Sequence, residues 1–347
     1  MSRNRGASGM LYLLMGLVTL GTALVCVSVG SVSVPLGETL RCLLSALGGK
    51  GAEAGSTTGN ILLAVRLPRV LCAALSGAGL SLAGGAMQGL LKNPLADGST
   101  LGVSSGAALG AVLAIAFGVT LPMLPFSGTV GMSMLGAFVS LLIILGLARR
   151  LDDALSTNTI ILIGVIYSML MSSILSLIVT FSGEKLKHIT FWTMGSLSGT
   201  DYLDALLLLA ALILFGGVLL TKAEELNAFA VGEDNARHVG VDVTKVRLTV
   251  LIAVSGLVGV AVAVGGTIGF VGLVIPHMTR MLTGPNHKRL LPACVFGGAV
   301  FLMLADLAAR TLFSPLELPI GVITSLVGSL TFLVIFFRTR RERGCLG

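Results

Sequence analysis

Hydrophobic residues fall along this chain in blocks of roughly twenty, each closed by a short polar or Gly/Pro-containing stretch. That length matches the hydrocarbon core of a bilayer, about 30 Å thick at 1.5 Å of helical rise per residue. Ten blocks are legible: 10–34, 70–91, 101–119, 130–148 and 160–181, then 203–220, 248–264, 268–282, 291–312 and 318–337. The pattern predicts an all-α polytopic membrane protein, one domain over 1–347 with ten transmembrane helices. The eighth block is short and holds Pro276, His277 and Arg280, and fusing it with the seventh across Gly265 and Gly266 would give nine.

Charge decides between the two counts. With ten helices both termini share a side, and sixteen of the 23 Lys and Arg residues gather there, including Arg3, Arg5 and the Arg338, Arg340, Arg341 and Arg343 tail. Basic residues concentrate on the cytoplasmic side of membrane proteins, so ten helices put both termini in the cytoplasm, whereas nine would strand the tail outside. The first block follows Arg3 and Arg5 as a signal peptide would, but it lacks a small-residue cleavage site and reads as a retained helix. Stretches 35–67 and 182–202, the second carrying the single tryptophan Trp192, are expected as extracytoplasmic loops, and 221–247 as the longest interior cytoplasmic loop.

Composition narrows the function classes. At 54% hydrophobic and 11% charged the chain belongs in lipid. The net charge of +7 is scattered through short loops, and 5% aromatic content gives no nucleic-acid face. The 46 glycines show no collagen period and lie inside apolar blocks, where small residues let helices approach. Cys26, Cys42, Cys72, Cys294 and Cys345 have neither disulfide-framework nor metal-ligand spacing. His188, His238, His277 and His287 are dispersed without an HExxH pattern, so no metal site or catalytic centre is expected.

Gly102, Gly106 and Gly110 form a double GxxxG, and Gly85/Gly89 and Gly265/Gly269 repeat the spacing. Each places glycines on one helix face, for static packing or for a sliding interface. Ser76-Gly77 with Gly84-Gly85 echoes Ser255-Gly256 with Gly265-Gly266, which reads either as a duplicated core or as chance. Asp306 and Arg310 stand one helical turn apart and can neutralise one another. No other acid lies deep in a block, which weighs against an ion-coupled secondary transporter. Gly48-Gly49-Lys50 lacks the remaining residues of a phosphate-binding GxxxxGK[ST] loop, so ATP hydrolysis would belong to another chain. Ser168, Ser172 and Ser176, with Ser173 beside them, mark one side of the fifth block; they either line a polar path or bond back to their own helix.

Several segments, in order, resemble the FecCD family of ATP-binding cassette importer permeases. They are Arg66-Leu67-Pro68-Arg69, Asn93-Pro94-Leu95-Ala96-Asp97 running into Leu101-Gly102, Phe191-Trp192 with Gly195-Ser196-Leu197, the stretch from Gly232 to Gly240, Gly269-Phe270-Val271-Gly272-Leu273 with Pro276-His277 and Arg280, and Glu317-Leu318-Pro319-Ile320-Gly321. The resemblance implies a compact type II importer fold and a homodimer in the inner membrane. It further implies two ATPase subunits that bind ATP and Mg, no cofactor on this chain, and one extracytoplasmic binding protein. The cargo class it implies is an iron-siderophore, haem or cobalamin.

Residue roles follow from the same resemblance. Arg66, Arg69 and Arg310 match arginines that dock the binding protein, although snorkelling at the interface is an alternative for the first two. Gly232, Glu233, Asp234, Ala236 and Gly240 cover a stretch similar to the EAAxxxG coupling motif, with Asp234 and Asn235 in place of Glu and the first Ala. Asn93, Leu95, Ser156 and Thr157 resemble the cytoplasmic gate positions.

Overall fold

The computed structural model describes residues 3–30, 34–47, 57–120, 126–152 and 156–344. Lys50 with Gly48 and Gly49, and Cys345, lie outside them. Among the described residues the regular structure is helical: α1 (Arg3–Ser28), α2 (Leu36–Leu47), α3 (Thr57–Leu91), α4 (Val103–Phe117), α5 (Gly128–Leu151), α6 (Thr157–Phe181), α7 (Leu186–Thr193), α8 (Tyr202–Thr221), α9 (Ala223–Val231), α10 (Glu233–His238), α11 (Val243–Gly265), α12 (Val271–Thr283), α13 (His287–Thr311) and α14 (Ile320–Gly344). Seven of these contain a stretch long and apolar enough to cross a bilayer, namely α1, α3, α5, α6, α8, α11 and α13. The shorter apolar helices α4 and α14, with the proline-containing α12, correspond to the remaining predicted blocks.

Capping explains where several helices begin and end. Ser127 accepts from Val130 N–H at the start of α5, Asp242 from Lys245 N–H at α11, and Asn286 from Lys288 N–H at α13. Asp201 and Asp204 form a reciprocal capping box on α8. α1 stops at Ser28, six residues before the end of the predicted block, because Arg66 Nη1 donates to Val27 O at 3.1 Å and Ser28 O at 2.8 Å. Those carbonyls would otherwise receive the next helical turn.

The expected loop at 35–67 is partly helical. α2 starts directly after Pro35 and is too short to span; Thr39 and Cys42 are buried while Leu36, Leu40 and Leu44 are exposed along one stripe. α3 already begins at Thr57 and widens into a π-helical turn at Ile61–Arg66, where Leu67 N–H reaches back five residues to Leu62 O just ahead of Pro68. The 182–202 stretch likewise contains α7, whose Ile189 packs on Val112 and Ile115. Beyond it, Ser196 N–H bonds Gly265 O while Ile320 N–H bonds Gly195 O, which joins the end of α11 to the start of α14.

α3 is the axis of the bundle. From Ser76 to Leu91 every residue is buried, because α13, α11, α12 and α8 pack around it. Small residues make that possible: a Cβ on Gly77 would strike the backbone carbonyl of Gly298 in α13, and one on Gly84 that of Gly272 in α12. Gly106 and Gly110 serve the α4–α5 crossing in the same way, against Ser140, Gly136 and Met132, whereas Gly102 caps α4 in a left-handed conformation at φ 81°. Most of these contacts are made to backbone atoms, with the Ser140 side chain against Gly106 the exception. The two Ser-Gly/Gly-Gly segments also part ways: Gly77 and Gly84 lie at crossings, while Gly265 and Gly266 end α11.

α12 is a helix of its own, separate from α11. Residues 266–270 are non-helical, and Phe270 adopts φ 68° before α12 starts opposite Gly84, partway along α3. Pro276 cannot donate to Gly272 O. Gln88 of α3 fills the gap, with its Nε2 3.4 Å from Gly272 O and 3.1 Å from Leu273 O, and Arg280 Nη2 holds the Gln88 Oε1 at 3.0 Å.

Replacing Gly77 by Val should therefore force α3 from α13 and cost at least about 1–3 kcal/mol. Gly146, in α5 with open space around its Cα, should accept Val without loss. Thermal unfolding of the two purified variants in detergent checks the contrast.

Candidate functional site

Charged groups meet at two places at opposite ends of the bundle. At the end where α1 stops, Asp306 of α13 is 1% exposed and accepts from Arg69 Nε at 2.9 Å, while Arg310 Nε lies 3.4 Å from its other oxygen. Arg69 Nη1 also reaches Glu317 at 3.0 Å, and Arg310 Nη2 donates to Cys26 O. Together with Arg66 on the Val27 and Ser28 carbonyls, this network joins the ends of α1 and α13, the Arg66–Arg69 segment of α3 and the turn into α14. The spacing of Asp306 and Arg310 anticipated one of these pairs. Arg66, Arg69 and Arg310 are all buried within the chain, with their guanidinium groups engaged internally.

At the opposite end, where Tyr12 of α1 donates to Arg289 O at the start of α13, the chain leaves α3 through Lys92 in a left-handed conformation at φ 50°. Asn93 Oδ1 then accepts from Leu95 N–H at 2.9 Å, and Asn93 O from Ala96 N–H, which folds 93–96 into a tight turn with Leu95 half exposed. Asp97 follows, accepting from Gly98 N–H at 2.6 Å and Ser99 Oγ at 3.0 Å against the start of α12. Desolvation there pushes its carboxyl above the usual range, while those donors pull the other way. Ser156 begins α6 with its N–H on Asp152 Oδ2 at 2.8 Å and its hydroxyl 2.9 Å from Thr159 Oγ1; Thr157 is the first helical residue.

On the same side, α9 and α10 form a protruding elbow. Gly232 at φ 135° separates the two helices, and Gly240 at φ 85° ends the second. Ala236 is fully buried, so its small side chain serves packing within the chain. Asp234 faces outward, and Val231 and Val239 flank it as exposed apolar knobs, both 73% exposed. A Cβ on Gly240 would meet nothing within 4 Å. Glu233 turns inward and bonds Arg247 Nη2 at 2.6 Å. Glu224 of α9 pairs with Lys288, which lowers its pKa.

Two cavities join near Thr267 and Gly269. A cleft of about 640 Å³ lies between Thr193 and Met194, the 267–270 turn and Ser325 and Ser329 of α14. A smaller one of about 90 Å³ reaches Asp97, Ser99 and Ser104. In α6, only a stripe of Ile160, Ile163, Gly164, Tyr167 and Met171 is buried. Ser172, Ser173 and Ser176 point outward and Ser168 is half-buried; Ser173 donates to Met169 O and Ser176 to Ser172 O, each at 2.9 Å. Outward placement and back-bonding therefore coexist.

A profile of the FecCD transport family matches residues 17–338. The chain belongs to that family. It is 44% identical over 91% of its length to permease protein YvrB of an uncharacterized ABC transporter of Bacillus subtilis, covering 90% of that protein. It is 40% identical to the hemin transport permease HmuU of Yersinia pestis, over 82% of this chain and 85% of that one. It is 37% identical to the molybdate import permease MolB of Haemophilus influenzae, over 92% and 93%. A solved ABC transporter of the metal-chelate type, in an inward-facing conformation, superposes with a TM-score of 0.82 at 34% identity, covering 95% of this chain and 99% of that one.

Within this FecCD permease, Glu317, Gln88 and Arg247, the partner of Glu233, are site residues that pattern reading missed. Their partners lie far off in sequence, and no local spacing marks them. Because removing one partner strands a buried charge, Asp306→Ala should destabilise the protein by about 3–5 kcal/mol. Glu317→Ala should cost less, since its carboxylate is half exposed. Chemical denaturation of the purified variants provides the check.

Proposed function

We propose that this chain works as a homodimer, carrying a metal chelate inward between its two copies while two separate ATPase subunits bind ATP and Mg. The observation that carries this reading is the near-complete superposition on a metal-chelate type transporter. The outward faces of α6 and α14 support it. Both are apolar over most of their exposed surface and are interrupted by serines, those of α14, Ser325 and Ser329, lying beside the cleft at Thr267. An iron-siderophore or haem is the narrower cargo reading, favoured by the hemin relative, while the molybdate relative makes a small oxyanion the alternative. Both termini and the α9–α10 elbow are then cytoplasmic, following the basic residues.

In this reading the elbow receives the ATPase. Gly240, Asp234 and the exposed Val231 and Val239 offer it a small, partly apolar surface. Asn93 and Leu95, with Ser156 and Thr157, close the path on the same side. At the other end Arg66, Arg69 and Arg310 are bound inside the chain, so the role their geometry supports is to hold the rim on which a binding protein docks. Direct docking through them requires these internal bonds to exchange for acids on the partner. A transporter driven by its own ion gradient is the weaker reading, because the deep acid Asp306 is neutralised by Arg69 and Arg310.

Uptake by vesicles containing the permease, its ATPase and its binding protein tests the proposal, with a ferric siderophore, haemin, cobalamin and molybdate as probes. ATP-dependent uptake of an iron chelate is expected. Uptake that follows an ion gradient without the ATPase would overturn the reading. Gly240→Trp should lower cargo moved per ATP hydrolysed by about fivefold or more while hydrolysis persists, and paired uptake and phosphate-release assays measure that ratio.

A further inference from the structure

Glu233 is the one acid of the α9–α10 elbow that points into the bundle and touches two other elements. Its Oε1 lies 2.6 Å from Arg247 Nη2 and 3.9 Å from Lys92 Nζ. Arg247 stands in the second turn of α11 and is 1% exposed, among the largest fully buried side chains of the chain. Lys92 closes α3 and directly precedes the turn of Asn93 and Leu95. A single carboxylate thus joins the short helix α10, the base of α11 and the end of the axial helix α3.

The two arms differ in kind. Arg247 is desolvated, and drawing a carboxylate away from a buried guanidinium is costly, which favours α10 and the base of α11 moving together. Lys92 is 37% exposed and its contact is long, so this arm can form and release at little cost. Its left-handed backbone, unusual for a residue with a Cβ, sets the direction in which the chain enters the Asn93–Leu95 turn directly after it. We infer that Glu233 is a positioning residue: anchored on Arg247, it transmits displacement of the elbow through Lys92 to the Asn93–Leu95 turn. This rests on the coupling role proposed for the elbow and the gate role proposed for Leu95.

The test places Leu95→Cys in the complete transporter, with its ATPase and binding protein, and follows cross-linking between the two copies with and without ATP. Cross-linking that changes with ATP in this parent is the gate reading itself; an unchanging parent would overturn that reading and this inference with it. With a responsive parent, Glu233→Gln and Lys92→Gln should each reduce the ATP-dependent change at least about fivefold while ATP hydrolysis continues, and Lys92→Arg should preserve it. Lys92 is half exposed, so its variants test the link even if Glu233→Gln does not fold. A Lys92→Gln variant that responds like the parent, or a Lys92→Arg variant as impaired as Lys92→Gln, overturns the inference and leaves the gate reading standing.

Discussion

The buried carboxylate of Asp306 is the point on which the arrangement of helices depends. Withdrawing an acid from water inside a membrane protein is expensive unless opposite charge and hydrogen bonds replace the lost solvent. Here Arg69 and Arg310 supply the charge, and Arg310 and Arg66 spend their remaining donors on the last carbonyls of α1. Satisfying one acid therefore ties the ends of α1 and α13 to α3. It also explains why α1 stops where it does and why the turn into α14 is held through Glu317.

From that fixed end, α3 runs through the bundle on backbone contacts. Hydrophobic burial gives helices in lipid little reason to associate, so close approach of small residues takes its place. Gly77 and Gly84 bring α3 against α13 and α12, and Gln88 extends the contact by serving the carbonyls that Pro276 leaves open. Charge at one end, glycine crossings in the middle and a polar stitch near the other hold a single helix at three depths.

The spanning helices were legible in the sequence because bilayer thickness imposes a length on them. The same logic failed where no such length applies. α2 and α7 are short, and their flanking Gly, Ser and Thr residues concealed them. The Asp306–Arg310 pair was visible because it follows helical spacing; Arg69 and Glu317, which complete it, come from segments distant in sequence. Ala236, in the stretch that resembles the coupling motif, packs inward, and periodicity in a six-residue helix does not tell its two faces apart.

The complete burial of α3 between Ser76 and Leu91 has an evolutionary consequence. A helix with a neighbour on every side has no position at which a larger residue can be tried without displacing another helix. Substitution is thus directed away from the axis and onto exposed positions such as those on the outward faces of α6 and α14.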